Sequence, residues 1–226
     1  RGDDGKPADC LDVLKQHGVE EVAEVSFPMM STDLLTVAQK AMDSKPQALL
    51  VGAADSGCPA IMDALHALNV QVPVYMVGSC ADAKAIKKVG LDAAAGTIFA
   101  VETRVDQSDN PSVDTEVYAA AVEKYGPAGL NAAGAGTVEF RSMMNLYDAL
   151  VELGPEATSA QVVEFFQNAV GRPSFDGHDY TCDGKQIAGL QSMCAPQEVL
   201  IQIHEDGAFT EVSDGWVDVP SILAGG

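Results

Sequence analysis

Apolar residues recur with two periodicities along the first half of the chain, and together these predict alternating strands and helices. Four short runs of strand type, about 24 residues apart, cover residues 24–27, 48–51, 74–77 and 97–101. Between them, apolar residues spaced three and four apart form helical stripes at 34–42, 61–68 and 85–89. Strands and helices that alternate at this length are βα units, which build a parallel sheet with flanking helices. The pattern therefore predicts an α/β fold.

This series begins with a helix instead of a strand. Residues 9–17 have helical periodicity, and Gly18 follows them as a C-cap. A βα fold normally places a strand before its first helix. We therefore expect that the opening strand of the sheet is missing upstream.

The spacing of apolar residues changes after Val101. Residues 104–114 are polar and predict a crossing loop, and helical patterns follow at 114–125, 137–153 and 159–170. The apolar period then falls to two, which predicts β-hairpin strands at 180–183, 187–193, 199–204 and 209–212. We expect an α/β domain at 1–125, helices and β-hairpins at 126–216, and a tail at 217–226.

Composition narrows the possible partners. The chain has 13 Lys+Arg against 33 Asp+Glu, a formal net charge of −20, and 47% hydrophobic residues, which suffice for a folded core. A surface this acidic repels phosphate backbones and anionic lipid headgroups, so we expect no nucleic-acid partner. No apolar run reaches about 18 residues, so we expect no membrane insertion.

Catalytic signatures are absent from the sequence, and no metal or cofactor is predicted. The common motifs of zinc proteases, serine hydrolases, phosphate loops and dinucleotide folds do not occur. Four residues have side chains that suit zinc, but their spacing matches no common zinc pattern. They are His178, Cys182, Asp183 and Cys194.

Three residues are potential nucleophiles. An enzyme that uses one of them is the least favoured class of function. They are Ser56, Cys58 and Cys80. No histidine or lysine is placed beside them by the sequence, so catalysis of the α/β-hydrolase type has no support from a base.

The sequence does place two small polar loops where an open parallel sheet binds its ligands, after the strands at 48–51 and 74–77. Both loops precede helix N-termini, whose free N–H groups suit a carboxylate or another polar group. The same residues would also serve as caps and tight turns, and the sequence leaves both interpretations open. The candidate ligand-binding residues are Asp55, Ser56, Gly57, Ser79, Cys80 and Ala81.

Four of the five cysteines fall into two pairs. Cys58 and Cys80 occupy equivalent positions in consecutive βα loops, and Cys182 and Cys194 flank a predicted turn. We expect two disulfides, an oxidising compartment, and Cys10 as the odd thiol. The alternative is a cytosolic protein with five reduced, buried cysteines.

Several segments, taken in order, carry a resemblance to a known family. They are residues 27–33, 48–52, 72–78, 95–98, 145–154, 175–184 and 199–209. In order and spacing they resemble the second lobe of type I periplasmic solute-binding proteins, the receptors of ABC importers of the branched-chain amino acid and amide class. Such receptors have two lobes, so the resemblance implies that most of the first lobe and the opening strand of the second are missing.

The resemblance also implies a function. Family members are not enzymes; they are extracytoplasmic, in the periplasm or as cell-surface lipoproteins, and they close two lobes on a small polar ligand such as an amino acid, an amide or a small carboxylate. Their partners are the ligand and an ABC transporter permease. The family's second-lobe contacts fall near Asp55 and Ser56 in one loop and near Ser79 and Cys80 in the other. The alternative within the same fold is the sensor domain of a receptor or regulator.

Overall fold

The structure is a computed structural model. It describes residues 15, 18–20, 23–28, 31, 33–54, 57–103, 112–128, 130, 135–187 and 190–223. Of the predicted helix at 9–17, only Lys15 belongs to this part of the chain. Cys10 lies outside it.

Eight α-helices and six strands occur in the described residues. The helices are α1 (Leu35–Asp43), α2 (Gly57–Ala67), α3 (Ala83–Val89), α4 (Leu91–Ala94), α5 (Val113–Tyr125), α6 (Ala135–Leu153), α7 (Ser159–Gln167) and α8 (Val219–Leu223). The strands are β1 (Leu49–Val51), β2 (Val74–Val77), β3 (Ile98–Val101), β4 (Gln197–Ile203), β5 (Phe209–Glu211) and β6 (Val217–Asp218). The predicted α/β fold is confirmed.

The strands form one mixed sheet in the order β1-β2-β3-β4-β5, with β6 also paired to β4. β1, β2 and β3 are parallel, as the βα units predicted, and their registers align Val51 with Met76 and Val77 with Ala100. β4 returns antiparallel to β3 and pairs Val199 with Val101. The carboxyl ends of the three parallel strands therefore lie at one edge of the sheet.

One face of the sheet carries the core. Met76, Phe99 and Val199 are at most 1% exposed, and they belong to one buried cluster with apolar residues of α2, α3 and α4. The opposite face is less covered, because Leu50 is 73% exposed and Val77 is 39% exposed. Burial on the first face is the main source of stability for this half of the molecule.

The helices of the second half meet through aromatic rings. Tyr118 of α5 lies 5.0 Å from Phe140 of α6, measured between ring centroids, and Phe140 lies 5.4 Å from Phe175. A capping box begins α7: the Gln161 backbone N–H donates to Thr158 Oγ1, and the Thr158 backbone N–H donates to Gln161 Oε1. The division of the chain at residue 125 into two domains stays a prediction.

The predicted strand at 24–27 is wrong. Residues 23–28 make no strand pairing, although Val25 and Phe27 are half-buried and their neighbours exposed, as in a strand. A strand forms only where another strand satisfies its backbone N–H and C=O groups, and within the described ranges β1 pairs with β2 alone.

The predicted strands at 180–183 and 187–193 are also wrong. Tyr180 makes a single bridge with Arg172, and the described residues from 181 to 194 form turns and bends. Asp183 accepts the backbone N–H of Lys185 at 2.9 Å, and Gly184 has φ +72°. Local turns of this kind compete with a strand ladder for the same backbone groups.

Residues 217–223, which the sequence assigns to the tail at 217–226, have regular secondary structure. Val217 and Asp218 pair with β4, and α8 follows directly. Both Asp218 carboxylate oxygens have partners: Oδ1 accepts from Gln197 Nε2 at 2.6 Å and Oδ2 from the Ser221 N–H at 3.1 Å. The short helix is thus capped and tied to the sheet.

Candidate ligand-binding site

Three loops meet at the carboxyl edge of the parallel strands, and we call them the loop edge. They are residues 52–54 after β1, 78–82 after β2 and 102–103 after β3. The parallel registers place them side by side. In open α/β sheets this is the position at which ligands bind.

A disulfide fixes the first two loops to each other. It joins Cys58, in the first turn of α2, to Cys80, with 5.3 Å between the Cα atoms. Both residues are buried, at 1% and 0% exposure, and the Cys80 Sγ lies 3.6 Å from the Ala53 carbonyl oxygen. The predicted pairing is therefore present in the structure, and it holds both loops against the core.

The second loop is shaped by its own backbone and by β3. Residues Gly78–Cys80 form a 3-10 turn, and Asp82 Oδ1 accepts the N–H of Ala85 at 2.7 Å, which caps α3. A Cβ on Gly78 would lie 2.6 Å from the Ala100 carbonyl oxygen, so only glycine fits this close approach.

The six candidate ligand-binding residues differ in their placement. Asp55 and Ser56 lie outside the described residues. Gly57 is buried, and its N–H donates to the Ala54 carbonyl oxygen at 2.9 Å. Ser79 is exposed and Ala81 is half-buried. The Cys80 side chain is buried in the disulfide, so a ligand at this loop would meet Ser79 and Ala81 instead.

A pair of glutamates at the loop edge was not among the residues proposed from sequence. Val101 pairs with Val199, which places Glu102 beside Glu198 at the ends of β3 and β4. Burial raises the pKa of Glu198 above its ordinary value, and the charge of Glu102 raises it further. The sequence contained one indication of this pair, because Glu102 directly follows a predicted strand and Glu198 directly precedes one. The pairing of β3 with β4 is what joins them.

Arg141 brings helix α6 to the same edge. Its Nη1 donates to the Glu102 carbonyl oxygen. Burial lowers the pKa of Arg141, while the charges of Glu102 and Asp176 act in the opposite direction. Next to it, the buried hydroxyls of Thr103 and Thr137 lie 3.3 Å apart. The end of β3 is thus the place where the sheet meets α6.

The second predicted disulfide is also present. Cys182 and Cys194 are joined with 4.4 Å between their Cα atoms, and the Thr181 N–H donates to the Cys194 carbonyl oxygen at 2.9 Å. The bond closes a segment of turns, since the hairpin expected there does not form. It lies in the second half of the chain, away from the first disulfide in sequence.

The described residues lack two kinds of feature. They contain no group of three or more His, Cys, Asp or Glu side chains placed to hold a metal ion. None of the helices in this part of the chain combines the length and apolarity needed to cross a membrane.

The sheet, its helices and the loop edge together define a class of protein: an open α/β fold whose loops gather at the carboxyl edge of its parallel strands. The comparison with known families is more specific. A family model described as periplasmic binding protein matches residues 5–191, so the chain belongs to the periplasmic binding protein family. The resemblance predicted from the sequence is confirmed.

Solved structures with the same fold include the following three proteins. A substrate-binding periplasmic protein from Ralstonia solanacearum has a TM-score of 0.72 at 17% identity, with 89% of this chain and 55% of that chain covered. A branched-chain amino acid ABC transporter protein from Thermus thermophilus with bound valine has a TM-score of 0.69 at 13% identity, covering 94% and 56%. A fatty acid ABC transporter substrate-binding protein from Thermomonospora curvata has a TM-score of 0.71 at 14% identity, covering 93% and 53%.

At these identities the likeness shows the fold, the type I periplasmic binding protein fold, and not the ligand. The chain spans about half the length of the structures it matches. No curated protein matches it.

Proposed function

We propose that this chain is part of an extracytoplasmic solute-binding component of an ABC importer, and that the loop edge forms one side of its ligand site. The observation that carries the proposal is the pair of loops at the carboxyl ends of β1 and β2, held together by the buried Cys58–Cys80 disulfide. Ligand contacts would come from Asp55, Ser56 and Gly57 in the first loop and from Ser79 and Ala81 in the second. This role is binding without catalysis.

The chemistry of the loop edge favours a small polar ligand. Ser79 presents an exposed hydroxyl, and Glu102 and Glu198 are half-buried carboxylates at the neighbouring ends of β3 and β4. Hydroxyls and backbone N–H groups suit a ligand carboxylate or amide, and carboxylates suit an ammonium group. An amino acid, an amide or a small carboxylate fits this set. Among the structures with the same fold, one holds valine and another is named for fatty acids.

Two further observations support an extracytoplasmic location. Family membership is the first. The second is the presence of two disulfides, which persist in oxidising compartments and are rare in the cytosol. A permease of an ABC importer would then be the macromolecular partner.

The proposed receptor also needs a partner segment, by which we mean most of a first lobe together with the opening strand of this sheet. Support comes from α6, where Met143, Tyr147 and Val151 form an apolar stripe that is 59–63% exposed. Their spacing of four residues puts them on one face of the helix. Stripes of this kind normally pack against another element. The chain also spans about half of the structures it matches, which leaves room for such a segment.

Ligand binding can be tested by thermal shift. Amino acids, amides and short carboxylates are added one at a time to the chain and, in parallel, to the chain associated with its partner segment. A ligand that binds the folded state at about 100 times its Kd stabilises it by about 2.7 kcal/mol. We expect at least one compound to raise the Tm of the associated form, and no shift with any of them would contradict the proposal.

The site is then tested with a variant of the one described polar side chain exposed in the second loop. Ser79→Ala should weaken binding of the compound found, whereas Ser159→Ala, an exposed serine on α7, should leave it unchanged. Equal affinity in both variants would place the ligand elsewhere. The partner-segment part is tested separately, since Tyr147→Lys should preserve the fold of the chain and block association.

A further inference from the structure

One face of helix α6 is polar, and it meets the end of β3. Thr137, Arg141 and Asn145 lie four residues apart and therefore share this face. The hydroxyls of Thr137 and Thr103, both buried, lie 3.3 Å apart. One turn further along the helix, Arg141 Nη1 donates to the Glu102 carbonyl oxygen. Two successive residues of the loop edge are thus held by two successive turns of α6.

The chain comes close to Arg141 again near Gly177. Asn145 holds this part of the chain to α6: its Nδ2 donates to Ser174 Oγ and its Oδ1 accepts the Phe175 N–H, both at 2.9 Å. At Gly177, an added Cβ would lie 2.9 Å from Arg141 Nη1 and 3.0 Å from Arg141 Cδ. The φ of Gly177 is not positive, so its backbone conformation does not require glycine. What requires glycine is the space that the Arg141 side chain occupies.

Arg141 is enclosed by three parts of the chain. These are α6 itself, the end of β3, and the segment around Gly177, which makes an antiparallel bridge with Thr103. The Arg141 side chain is half-buried, and the charges of Glu102 and Asp176 act on it. A guanidinium stays charged in such surroundings and offers five N–H donors in a rigid plane. Arg141 is therefore well suited to fix a backbone carbonyl in place.

The carbonyl that Arg141 holds belongs to a residue of the loop edge. Glu102 directly follows β3, and the pairing of Val101 with Val199 puts it next to Glu198. Both glutamates are half-buried. A fixed backbone limits a side chain to a few rotamers, and so limits where its end group can lie. Arg141 therefore acts on the relative position of two carboxyl groups.

We propose that Arg141 is a positioning residue of the loop edge: by holding the Glu102 carbonyl, it sets where the Glu102 carboxyl lies relative to Glu198. Gly177 is its counterpart, because a side chain there would push the guanidinium away. This inference rests on the proposed function, in which the loop edge is one side of a ligand site. A ligand that meets these two carboxyls depends on Arg141 through Glu102.

The hydrogen bond is tested first, by NMR of the Arg141 guanidinium nitrogens in the full chain. A solvated guanidinium rotates about its Cζ–Nη bonds and averages its Nη signals, whereas a lasting bond to a carbonyl slows this rotation. In the wild type we therefore expect separate signals for Nη1 and Nη2. Gly177→Ala should merge them, because the end of a long side chain yields more easily than the backbone. Gly52→Ala adds a Cβ that meets nothing within 4 Å and should keep them separate.

The positioning role is tested by a double-mutant cycle. The Glu198 carboxyl is titrated by NMR in the full chain with and without Glu102→Gln. Burial and then the charge of Glu102 raise the pKa of Glu198, so this change should lower it. The size of the change measures the coupling between the two carboxyls. In Gly177→Ala and in Arg141→Met the coupling should fall to about half or less of its wild-type value, whereas Gly52→Ala should keep it.

These outcomes separate positioning from packing. Gly177→Ala alters no charged group, and each coupling is a difference within one background, so a change of net charge does not explain its loss. The proposal is overturned if the Nη signals are averaged in the wild type, a result that requires no variant to fold. It is also overturned if Gly177→Ala and Arg141→Met lower the stability but leave the coupling unchanged. No measurement uses a ligand, so failure here leaves the proposed binding function standing, and a failed ligand screen leaves these results standing.

Discussion

Replacing both Cys58 and Cys80 by alanine measures how much the first disulfide stabilises the loop edge. The bond spans a sequence separation of 22 residues, for which the loop-entropy relation gives about 3 kcal/mol. Both residues are buried, at 1% and 0% exposure, so the lost contacts of two sulfur atoms add about 1–2 kcal/mol. We expect the free energy of unfolding to fall by about 4–5 kcal/mol.

The second disulfide supplies the matched control. Cys182 and Cys194 are 12 residues apart and half-buried, so their replacement by alanine should cost about 3 kcal/mol, with little loss of packing. The assay is urea unfolding without reductant, in a Cys10→Ser background that prevents thiol exchange. If the Cys58/Cys80 variant loses no more stability than the Cys182/Cys194 variant, the reasoning from burial is refuted. Thiol titration of the denatured, unreduced chain should find one free thiol of the five cysteines.

Three further predictions concern the sheet and its ends. Gly78→Ala should lower the free energy of unfolding by about 1–3 kcal/mol, because the new Cβ would lie 2.6 Å from the Ala100 carbonyl oxygen. A Cβ at Gly52 would meet nothing within 4 Å, so Gly52→Ala is the control. Urea unfolding compares the two variants, and an equal loss of stability would contradict the argument. Burial raises the pKa of Glu198, so its ionisation destabilises the fold as the pH rises. Glu198→Gln should therefore be more stable than the wild type at neutral pH, and the difference should be smaller in acid. The control is Glu205→Gln, a change at an exposed residue, which should show neither effect. Asp218→Ala removes the cap of α8 and should cost about 1 kcal/mol in thermal unfolding, and no cost would indicate that residues 217–223 behave as the tail expected from sequence.

Local patterns predicted those parts of the fold that neighbouring residues determine. The strand at Val74–Val77 was predicted at its observed bounds, because a short apolar run between Pro73 and Gly78 has a clear start and end. The Cys58–Cys80 bond followed from the βα repeat, which brings equivalent loops together at one edge. Repetition along the sequence was therefore enough to locate the loop edge.

Long-range pairing determined the parts that sequence could not supply. Glu102 and Glu198 become neighbours only because β4 returns antiparallel beside β3, and Arg141 reaches Glu102 from a helix that lies 39 residues further along the chain. The hydrogen bond from the Asp176 N–H to Asp114 Oδ2 is of the same kind, since these two residues lie on separate elements. None of these residues belongs to a motif, so composition and spacing gave no reason to group them.

The proposed partner segment would account for both the failed strand at 24–27 and the unpaired edge of β1 in the described part of the chain. β1 pairs with β2 on one side only, Leu50 is 73% exposed, and residues 23–28 keep the alternating burial of a strand without any pairing. One additional strand beside β1 would give both segments a neighbour, and the proposed partner segment includes such a strand. Association with that segment should therefore protect the amides of residues 24–27 and of Leu50 from hydrogen exchange. Protection of Leu50 without protection of 24–27 would mean that the added strand lies at the outer edge of the sheet.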